Sequence, residues 1–511
     1  MTVRGAGEIG LGLASARPAR PIVAGERIHI VGAQGAGASA AALLAVWAGA
    51  DVDGCDPGGP SQYTPALDAV GVHVAPAHDP SHVAGPRRPA RLAVTKALTA
   101  IDPDNAELAA AREAGIPLEP WQQVVADAAH GRLLMAAAGT HGKSTSAGWL
   151  VHTLAAIGAD PAAFVGALLP ASLTGIGLPA TARRGAGEAF VVEADEYAGN
   201  FDPYRPDVTV LTSAEWDHPD VFADRDAVLA SFEAWIRRAA AGRSPADRTP
   251  VLVANVGDAG VAALVRRLGD WPGRILRVAL DATPGTADLT GQILAAEPDG
   301  TLLRVELGPA DANAASDARQ VRLPTAGRHN AANALGVIGA CLAAGHAIDS
   351  VLGAVASFPG VGRRLERKGE AAGVVVYDDY GHHPTAIRET LAAVRQREPG
   401  RRVWAVYEPL TYHRTAALLD DFAEVLATAD AVAIADIWAG RDPDTTVASS
   451  AGLADAVARR NPGMTAVAPG SVEATASWLA TRVRAGDVVL VMGGGRSYRI
   501  AELLLDHLAA R

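Results

Sequence analysis

The chain has 511 residues, of which 49% are hydrophobic, and its formal net charge is −11. This length is enough for about three domains of ordinary size. The negative charge and the lack of a basic face argue against nucleic-acid binding. Two cysteines, Cys55 and Cys341, are too few and too far apart for a disulfide framework, which favours a reducing, cytoplasmic location.

The first 24 residues predict neither a signal peptide nor a membrane anchor. They are rich in Ala, Gly, Pro and Arg, and their only apolar stretch is short and interrupted by glycine. We therefore predict a disordered tail over residues 1–24. The longest uncharged run, residues 32–50, is mostly Ala and Gly, which is typical of a helix in a water-soluble domain and not of a membrane span.

The next segment opens with a strand, a glycine-rich turn and a helix. Arg27–Val31 is short and apolar, and the following turn has the pattern G-x-x-G-x-G. This βαβ opening predicts a Rossmann-like domain over residues 25–130. Because the turn is not the G-x-G-x-x-G fingerprint, it fits a tight packing turn as well as a pyrophosphate site. Asp56, at the end of the second strand, stands where an acidic residue often binds ribose, but it also fits a helix cap.

A second glycine-rich loop, residues 139–145, follows the apolar run Leu133–Ala138. A loop of this kind between a strand and a helix leaves backbone N–H groups free to bind phosphate. Ala137 stands where the general phosphate-loop pattern has its first glycine. Lys143 is nevertheless one of only three lysines, against 42 arginines, so the chain keeps a compact ammonium group at this position. We predict that this loop binds phosphate.

Two acidic clusters follow later strands of the same predicted domain, which we place at residues 131–322. Glu193, Asp195 and Glu196 come after one apolar strand, and Glu215-Trp-Asp-His218 comes after another. Each cluster alone fits a solvated loop. The phosphate loop and both clusters each follow the carboxyl end of a predicted parallel strand, so they fall on one edge of the sheet. In open α/β sheets, ligands bind at this edge. This coincidence favours a site for Mg²⁺ and a nucleotide.

The third segment, residues 323–511, carries two further polar motifs. A polar stretch at 310–318 precedes it and predicts a loop between strands or between domains. Asn330 and Asn333 stand near a predicted helix start, where they fit either capping or contact with a purine. The stretch Asp378–Thr385 brings two acids, two histidines and a tyrosine to the end of a strand, which is typical of a binding site.

Taken together, the motifs resemble those of the ATP-dependent Mur ligases of peptidoglycan synthesis in order and spacing. The resemblance runs from about Arg27 to the C-terminus. The motifs that carry it are Gly139–Thr145, Glu193–Tyr197, Ser213–His218, Gly327–Asn333, Phe358–Arg364 and Asp378–Thr385.

This resemblance implies an α/β fold of three domains and a set of site residues. The domains would be a Rossmann-like UDP-binding domain, a central P-loop ATPase-like domain with a mainly parallel sheet, and a C-terminal Rossmann-like domain that binds the amino acid. The implied cofactors are ATP and Mg²⁺, with Mn²⁺ as an alternative ion. The implied catalytic residues are Lys143, Glu193, His218 and Arg363. ATP would be bound by Gly139, Thr140, His141, Gly142, Lys143, Ser144, Thr145, Asn330 and Asn333.

Other ligand contacts are implied in the same way. The metal ligands would be Ser144, Glu193 and His218. The UDP-sugar would contact Gly32, Gly35, Gly37, Asp56 and Thr99, and the amino acid would contact Tyr380, His382 and Arg414.

Within the family, the motifs are most similar to the branch that joins L-alanine to the lactyl carboxylate of UDP-N-acetylmuramate through an acyl phosphate. The near alternative is the recycling branch, which attaches a murein tripeptide to the same sugar nucleotide. Leu410 and Thr411 stand where the branch usually has His and Arg. More distant alternatives are a folylpolyglutamate-type ligase, an NAD-dependent dehydrogenase and a non-catalytic binding module. The sequence leaves open whether the protein is a monomer or a homodimer.

Overall fold

A computed structural model describes residues 5–243, 247–283, 285–308, 317–440, 442 and 444–510. Within these residues the chain forms three successive β-sheets with helices packed against them. The predicted α/β class, with three sheet-bearing domains and a mostly parallel central sheet, is confirmed. Among the described helices, none combines the length and apolar character needed to cross a bilayer.

The first sheet has five parallel strands. Its strands are β1 (Arg27–Val31), β2 (Asp51–Cys55), β3 (Val74–Ala75), β4 (Arg91–Val94) and β5 (Leu118–Pro120). Its helices are α1 (Ala6–Ile9), α2 (Ala36–Trp47), α3 (Thr64–Ala69), α4 (Lys96–Ile101), α5 (Ala106–Glu113) and α6 (Trp121–Ala128), with a 3₁₀ turn at Pro80–Val83. The strand order β3-β2-β1-β4-β5 matches five of the six strands of the Rossmann order.

The N-terminal segment is ordered, so the prediction of a disordered tail is wrong for residues 5–24. Ile9 is 1% exposed, and its carbonyl accepts a hydrogen bond of 2.6 Å from the Thr99 hydroxyl. Arg17 donates hydrogen bonds of 2.7 and 2.9 Å to the carboxylate of Asp127. The composition gave no sign of these contacts, because one arginine and one isoleucine that reach distant partners create no periodic pattern.

Arg17 belongs to a buried charge cluster beneath the first sheet. Arg91, at the start of β4, is 2% exposed and donates a hydrogen bond of 2.8 Å to Glu119. It also donates to Asp127, which lies in α6. Two arginines thus face two buried carboxylates, and the loss of either arginine would leave two buried negative charges with one positive partner between them.

The central sheet has ten strands, and the strands at its middle are parallel. The strands are β6 (Leu133–Ala138), β7 (Ala162–Leu169), β8 (Ala180–Arg183), β9 (Ala189–Ala194), β10 (Val208–Leu211), β11 (Val251–Asn255), β12 (Arg274–Leu280), β13 (Leu289–Glu297), β14 (Gly300–Leu307) and β15 (Asp317–Leu323). The helices are α7 (Lys143–Ala156), α8 (Ala171–Thr174), α9 (Arg225–Ala240), α10 (Ala259–Arg267), α11 (Arg328–Ala343) and α12 (Ile348–Val355), with a 3₁₀ turn at Tyr197–Gly199.

The strand order of the central sheet is β15-β14-β13-β12-β11-β10-β6-β9-β7-β8. Strand β6 therefore lies between β10 and β9 and runs parallel to both. This arrangement brings the carboxyl ends of three strands side by side, as predicted for the strands before the phosphate loop and the two acidic clusters.

Helices α11 and α12 pack against the central sheet, although the predicted boundary at residue 322 assigns them to the third domain. Leu335 and Ile338 share a hydrophobic core with Val210 and Val253 of the sheet. The polar stretch that suggested a break spans residues 310–318, of which 310–316 lie outside the described residues and 317–318 begin β15. The domain boundaries remain predictions, but this shared core favours a third domain that begins after α12.

The third sheet has six strands, of which only β16 is antiparallel to its neighbour. The strands are β16 (Glu366–Ala371), β17 (Val374–Asp379), β18 (Val403–Glu408), β19 (Ala431–Ala435), β20 (Thr465–Gly470) and β21 (Val488–Gly493). The helices are α13 (Pro384–Arg397), α14 (Tyr412–Ala417), α15 (Leu419–Leu426), α16 (Ser450–Arg460), α17 (Val472–Ala480) and α18 (Tyr498–Ala509).

The buried charge cluster generates a stability prediction. Arg91→Met should lower the free energy of unfolding by about 3–5 kcal/mol, because it removes one partner of buried carboxylates. Arg88→Met, at an exposed position of the same domain, should change it by less than about 0.5 kcal/mol. Urea unfolding followed by circular dichroism measures both variants. Equal midpoints for the two variants would contradict the role assigned to the cluster.

Candidate functional site

The phosphate loop joins the end of β6 to the start of α7. Gly139 and Gly142 have φ values of +131° and +81°, a region that side chains rarely adopt. A Cβ atom at Gly142 would lie 2.6 Å from Oδ1 of Asn333, so the loop also has no room for a side chain there. The first helical residue is Lys143, and the free N–H groups of this helix start form an anion site.

Lys143 faces the acidic cluster that follows β9. Its Nζ donates hydrogen bonds of 2.8 Å to the Gly139 carbonyl and 3.0 Å to Oε2 of Glu196, and it lies 3.5 Å from Oδ1 of Asp195. Burial lowers the pKa of Lys143, but the carboxylates of Glu196 and Asp195 outweigh burial and leave the pKa above its ordinary value. The ammonium group is therefore charged and held at the mouth of the loop.

Ser144 connects the loop to two charged side chains. Its hydroxyl donates a hydrogen bond of 2.9 Å to Oε1 of Glu193 and accepts one of 2.7 Å from Arg364. The other oxygen of Glu193 accepts a hydrogen bond of 2.6 Å from the Gly166 amide. A hydroxyl and a carboxylate oxygen are thus fixed together at the start of α7, and both are ligand types that Mg²⁺ prefers.

A second group of metal-type ligands lies beside Lys143. One donor atom each from Asp195, Glu196 and His218 lies within 4.8 Å of the other two. Glu196 is 1% exposed, and its Oε1 has no hydrogen-bond partner among the described residues. Burial also raises the pKa of Glu196. An unpartnered buried carboxylate oxygen beside an imidazole fits a divalent cation such as Mg²⁺ or Mn²⁺.

The predicted metal set is therefore divided between two adjacent groups. Ser144 and Glu193 are in direct contact, whereas His218 groups with Asp195 and Glu196. Asp195 and Glu196 belong to the acidic motif after β9 but are not among the predicted ligands, because sequence spacing does not show which carboxylates of a loop point inward.

A network of histidines and Glu215 connects the loop to the third domain. Oε2 of Glu215 lies 3.1 Å from Nε2 of His141 and accepts a hydrogen bond of 2.8 Å from the Thr385 hydroxyl. The ring of His383 lies 4.7 Å from that of His141. Burial raises the pKa of Glu215, but the hydrogen bonds from His141 and Thr385 and the charges of His141 and His383 together outweigh burial, and the pKa falls to about 2. Glu215 is consequently ionised and stabilises the contact between the two domains.

Arg414 reaches from α14 of the third domain to the second acidic motif. Its Nη2 lies 2.7 Å from Oδ1 of Asp217 and 3.1 Å from Nδ1 of His218. The side chains of Arg414 and Asp217 are 5% and 4% exposed. Nε of Arg414 is buried and has no hydrogen-bond partner among the described residues. Burial and the positive charge of Arg414 hold the pKa of His382 well below its ordinary value, so this histidine is neutral.

Of the two adjacent arginines before β16, Arg364 lies at the phosphate loop and Arg363 does not. Arg363 is 3.2 Å from the buried Asp378 and donates a hydrogen bond of 2.8 Å to the Gly493 carbonyl. The ring of Tyr380 lies 4.9 Å from each guanidinium group. Arg363 remains a predicted catalytic residue, and its guanidinium group is held within the third domain. The motif alone does not show which arginine turns toward the loop.

The two predicted purine contacts lie at the start of α11, beside the phosphate loop. Asn330 and Asn333 are each 7% exposed. Asn330 donates a hydrogen bond of 2.8 Å to the Ala326 carbonyl, and Asn333 donates one of 3.5 Å to Asn330. The capping alternative finds no support, since neither side chain caps the helix.

The turn after β1 has the geometry of a tight turn. Gly32 has a φ of +82°, and Gly35 precedes the first residue of α2. The carboxylate of Asp56 accepts a hydrogen bond of 2.9 Å from the Gln34 amide, so it braces the turn. A Cβ atom at Gly37 would lie 2.1 Å from the Trp121 ring. Both the packing role and the ligand role that the sequence left open are compatible with this geometry.

Thr99, the remaining predicted sugar contact, lies away from this turn. It is 1% exposed, and its hydroxyl donates to the carbonyls of Ile9 and Lys96. These contacts give Thr99 a packing role, and its contact with the sugar stays a prediction. The contact with Ile9 was not predicted, because residues 1–24 were expected to be disordered.

The three domains surround one cavity of about 1000 Å³. The predicted site residues that line it are Gly37, Thr140, His141, Gly142, Lys143, Ser144, Thr145, Glu193, His218, Asn330, Asn333, Tyr380, His382 and Arg414. Those that do not line it are Gly32, Gly35, Asp56, Thr99, Gly139 and Arg363. The cavity is also lined by residues that the prediction did not select, among them Asp195, Glu215, Asp217, Arg364 and His383.

Comparison with known protein families agrees with this architecture. The Mur ligase family catalytic domain matches residues 27–132, the Mur ligase middle domain matches residues 137–341, and the Mur ligase glutamate ligase domain matches residues 363–495. These three matches span most of the chain. The protein therefore belongs to the Mur ligase family.

Curated relatives and solved structures match over nearly the whole chain. UDP-N-acetylmuramate–L-alanine ligase from Mycobacterium sp. (strain JLS) is 36% identical, covering 95% of this chain and 96% of the relative. The enzyme of the same name from Kineococcus radiotolerans is 37% identical, covering 95% and 97%.

Two solved structures show the same fold. The UDP-N-acetylmuramate-alanine ligase of Thermotoga maritima has a TM-score of 0.74 at 23% identity, covering 95% of this chain and 99% of that chain. A murein peptide ligase of Psychrobacter arcticus has a TM-score of 0.71 at 24% identity, with the same coverage.

The different positions of the two arginines generate a test. Arg364→Met should lower kcat/KM for ATP by about a hundredfold without unfolding the protein, because it removes a cation from the loop. Arg363→Met should instead lower the free energy of unfolding by about 3–5 kcal/mol, because it leaves Asp378 buried without its partner. Steady-state kinetics and thermal unfolding of both variants separate these effects. The reverse pattern would contradict the placement of the two side chains.

Proposed function

We propose that this protein is an ATP-dependent, ADP-forming ligase that joins L-alanine to the lactyl carboxylate of UDP-N-acetylmuramate in peptidoglycan precursor synthesis. Enzymes of the Mur ligase family use ATP, and the curated relatives at 36–37% identity carry the name of this reaction. The observation that carries the proposal is the single cavity in which the phosphate loop, two acidic clusters and Arg414 of the third domain meet. We also propose that the reaction takes place in the cytoplasm.

The reaction has two steps. The lactyl carboxylate attacks the γ-phosphorus of ATP, which forms an acyl phosphate and releases ADP. The amine of L-alanine then attacks the acyl carbon, which forms the amide and releases phosphate. A carboxylate is a poor electrophile, and phosphorylation supplies the leaving group. The protein's contribution is to position the reactants and to neutralise charge.

In this proposal, the phosphates of ATP bind at the start of α7. The loop amides bind phosphate oxygens, and Lys143 and Arg364 neutralise the charge that develops on the transferred group. The support is geometric, since Lys143 Nζ lies 3.0 Å from Glu196 and Arg364 Nη2 lies 2.7 Å from Ser144. Asn333, which touches the loop, would contact the adenine together with Asn330.

Two cation sites are compatible with the acidic groups. Ser144 and Glu193 would hold one Mg²⁺, and His218 with Asp195 and Glu196 would hold a second, with Mn²⁺ as an alternative ion. When bound, such ions screen the negative charge between the carboxylate and the phosphates. Without them, the carboxylates of the site would repel the anionic substrates.

We place the amino acid next to Arg414. The Nε atom of this residue is a buried donor that has no partner among the described residues, which suits a carboxylate ligand. Neutral His382 lines the same region. Leu410 and Trp438 add apolar surface to the wall of the cavity, as expected around a small apolar side chain.

The wall of the cavity next to Arg414 also contains the two positions at which this sequence differs from the usual motif of the L-alanine branch. Leu410 and Thr411 both line the cavity, and Thr411 has a φ of +61°. A substitution at this wall can change which amine fits. The recycling reaction, with a murein tripeptide as amine, is therefore the second candidate, and the amine distinguishes the two.

An activity assay tests the proposed function. Purified protein should release phosphate from ATP in the presence of UDP-N-acetylmuramate and L-alanine, and mass spectrometry should detect a product that is heavier by one alanine residue. Parallel reactions contain the tripeptide, glycine or L-serine as the only amine, and a reaction without amine gives the background. Turnover with the tripeptide alone would reject L-alanine as the substrate in favour of the recycling reaction.

Lys143→Ala tests the assignment of the phosphate loop. Removal of the ammonium group should lower kcat by about a hundredfold or more, since it deletes a preorganised charge next to the transferred phosphoryl group. Lys368→Ala is the matched control, because Lys368 lies on β16 and does not line the cavity. Phosphate release measures both variants. Near-normal turnover of Lys143→Ala would reject the assignment.

A further inference from the structure

The first domain contains a cluster of metal-type side chains away from the cavity. The cluster consists of His29 on β1, Cys55 at the end of β2, His82 in the 3₁₀ turn and Glu107 on α5. One donor atom from each of these residues lies within 4.8 Å of the other three. None of the four residues lines the cavity, so the proposed reaction assigns no role to them.

The distances between the donor atoms are those of ligands around one small ion. Sγ of Cys55 lies 3.3 Å from Nε2 of His29 and 3.2 Å from Oε2 of Glu107. Oε1 of Glu107 lies 2.9 Å from Nε2 of His29 and 3.1 Å from Nδ1 of His82. Ligands of a tetrahedral zinc ion are separated by roughly 3.3–3.6 Å when zinc–ligand bonds are about 2.0–2.3 Å, so these four contacts lie at or slightly below the spacing that the ion requires.

The outer contacts of His29 orient it as a metal ligand. Its Nδ1 lies 2.7 Å from Oδ1 of Asp53, and the other carboxylate oxygen of Asp53 accepts a hydrogen bond of 3.0 Å from Arg27. A carboxylate at Nδ1 keeps the proton on that nitrogen and leaves the lone pair of Nε2 directed at Cys55 and Glu107. Ligating histidines are typically held in this way by a carboxylate.

A metal-free network is the competing explanation. In that case His29 is an imidazolium between Asp53 and Glu107. Burial lowers the pKa of His29, but its hydrogen bonds to these two carboxylates and their charges outweigh burial and raise the pKa to about 9. Cys55 is then a buried neutral thiol, since burial and the charge of Glu107 raise its pKa. His78 adds a further imidazole 3.1 Å from the thiol. The two explanations differ in a measurable property, which is whether the thiol is bound to a metal.

We propose that His29, Cys55, His82 and Glu107 form a structural zinc site in the first domain. A thiolate with imidazole and carboxylate ligands favours Zn²⁺ over Mg²⁺, and the burial of Cys55 and Glu107 suits a closed structural site. Binding displaces the thiol proton to solvent and forms the zinc–sulfur bond. The ion would connect β1, β2, the 3₁₀ turn and α5.

The site would also stabilise the turn that precedes α2. The Cys55 carbonyl accepts hydrogen bonds of 2.8 and 3.2 Å from the amides of Gly32 and Ala33. The next residue, Asp56, braces the same turn through the Gln34 amide. A zinc ion on Cys55 would therefore hold the end of β2 against the turn predicted to bind the sugar nucleotide.

Metal analysis of the intact protein tests the site. After extensive dialysis, the wild-type chain should retain about one equivalent of zinc by plasma mass spectrometry. Replacement of zinc by Co²⁺ should produce a thiolate-to-cobalt charge-transfer absorption band. Cys55→Ser and His82→Asn should lose the tightly bound metal, and Cys55→Ser should also lose the band. Cys341→Ser is the matched control, since Cys341 is the only other cysteine and is likewise buried.

Three measurements keep the proposal open to rejection. Glu193→Gln should retain the zinc and the cobalt band, which separates this site from the cation sites at the phosphate loop. Circular dichroism of His82→Asn, whose side chain is 20% exposed, should show a folded protein, so that metal loss cannot result from unfolding. A wild-type chain that binds no zinc after incubation with excess zinc and dialysis, or a Cys55→Ser variant that keeps it, would establish the metal-free network instead.

Discussion

The buried ion pair between Asp217 and Arg414 is the contact on which the arrangement of the site depends. Asp217 follows β10 of the central domain, whereas Arg414 lies in α14 of the third domain, and both side chains are at most 5% exposed. A buried charge is tolerated only when its partner is present. The pair can therefore form only when these two domains are closed on each other. Closure places Arg414 beside His218 and neutral His382, and so completes the wall of the cavity.

A second constraint is the excess of negative charge at the carboxyl edge of the central sheet. Parallel pairing of β9 with β6 brings Glu193 and its neighbours to the phosphate loop, where Lys143 and Arg364 are the nearby cations. Glu196 remains buried with one oxygen unpartnered within the described residues. Such an edge is suited to receive cations together with an anionic nucleotide, and the same carboxylates hold Lys143 in its charged state.

Two polar clusters stabilise the first domain in addition to its hydrophobic cores. Arg91 and its carboxylate partners are buried next to the ordered N-terminal segment. The cluster around Cys55 and Glu107 lies at the end of β2 and beside α5. The first group connects the sheet to the N-terminal segment and α6, and the second connects it to the 3₁₀ turn and α5. They hold together a sheet whose third strand has only two residues.

The sequence determined the class of fold and the order of the motifs. The pattern of an apolar strand, a glycine-rich loop and a helix predicted β1 and β6 with the bounds that the structure has. The rule that ligands bind at the carboxyl ends of parallel strands predicted that the phosphate loop and both acidic motifs share one edge of the sheet. These features are local, because a glycine with positive φ or an apolar strand is encoded by neighbouring residues.

What only the tertiary structure decided was which side chain of each motif turns inward. Arg364 reaches Ser144 while Arg363 binds Asp378, although the two arginines are adjacent in sequence. Thr99 donates a hydrogen bond to Ile9 of the N-terminal segment, a pairing across 90 residues of sequence. Side-chain direction and long-range pairing depend on burial and charge balance among residues distant in sequence, and a sequence motif carries no information about either.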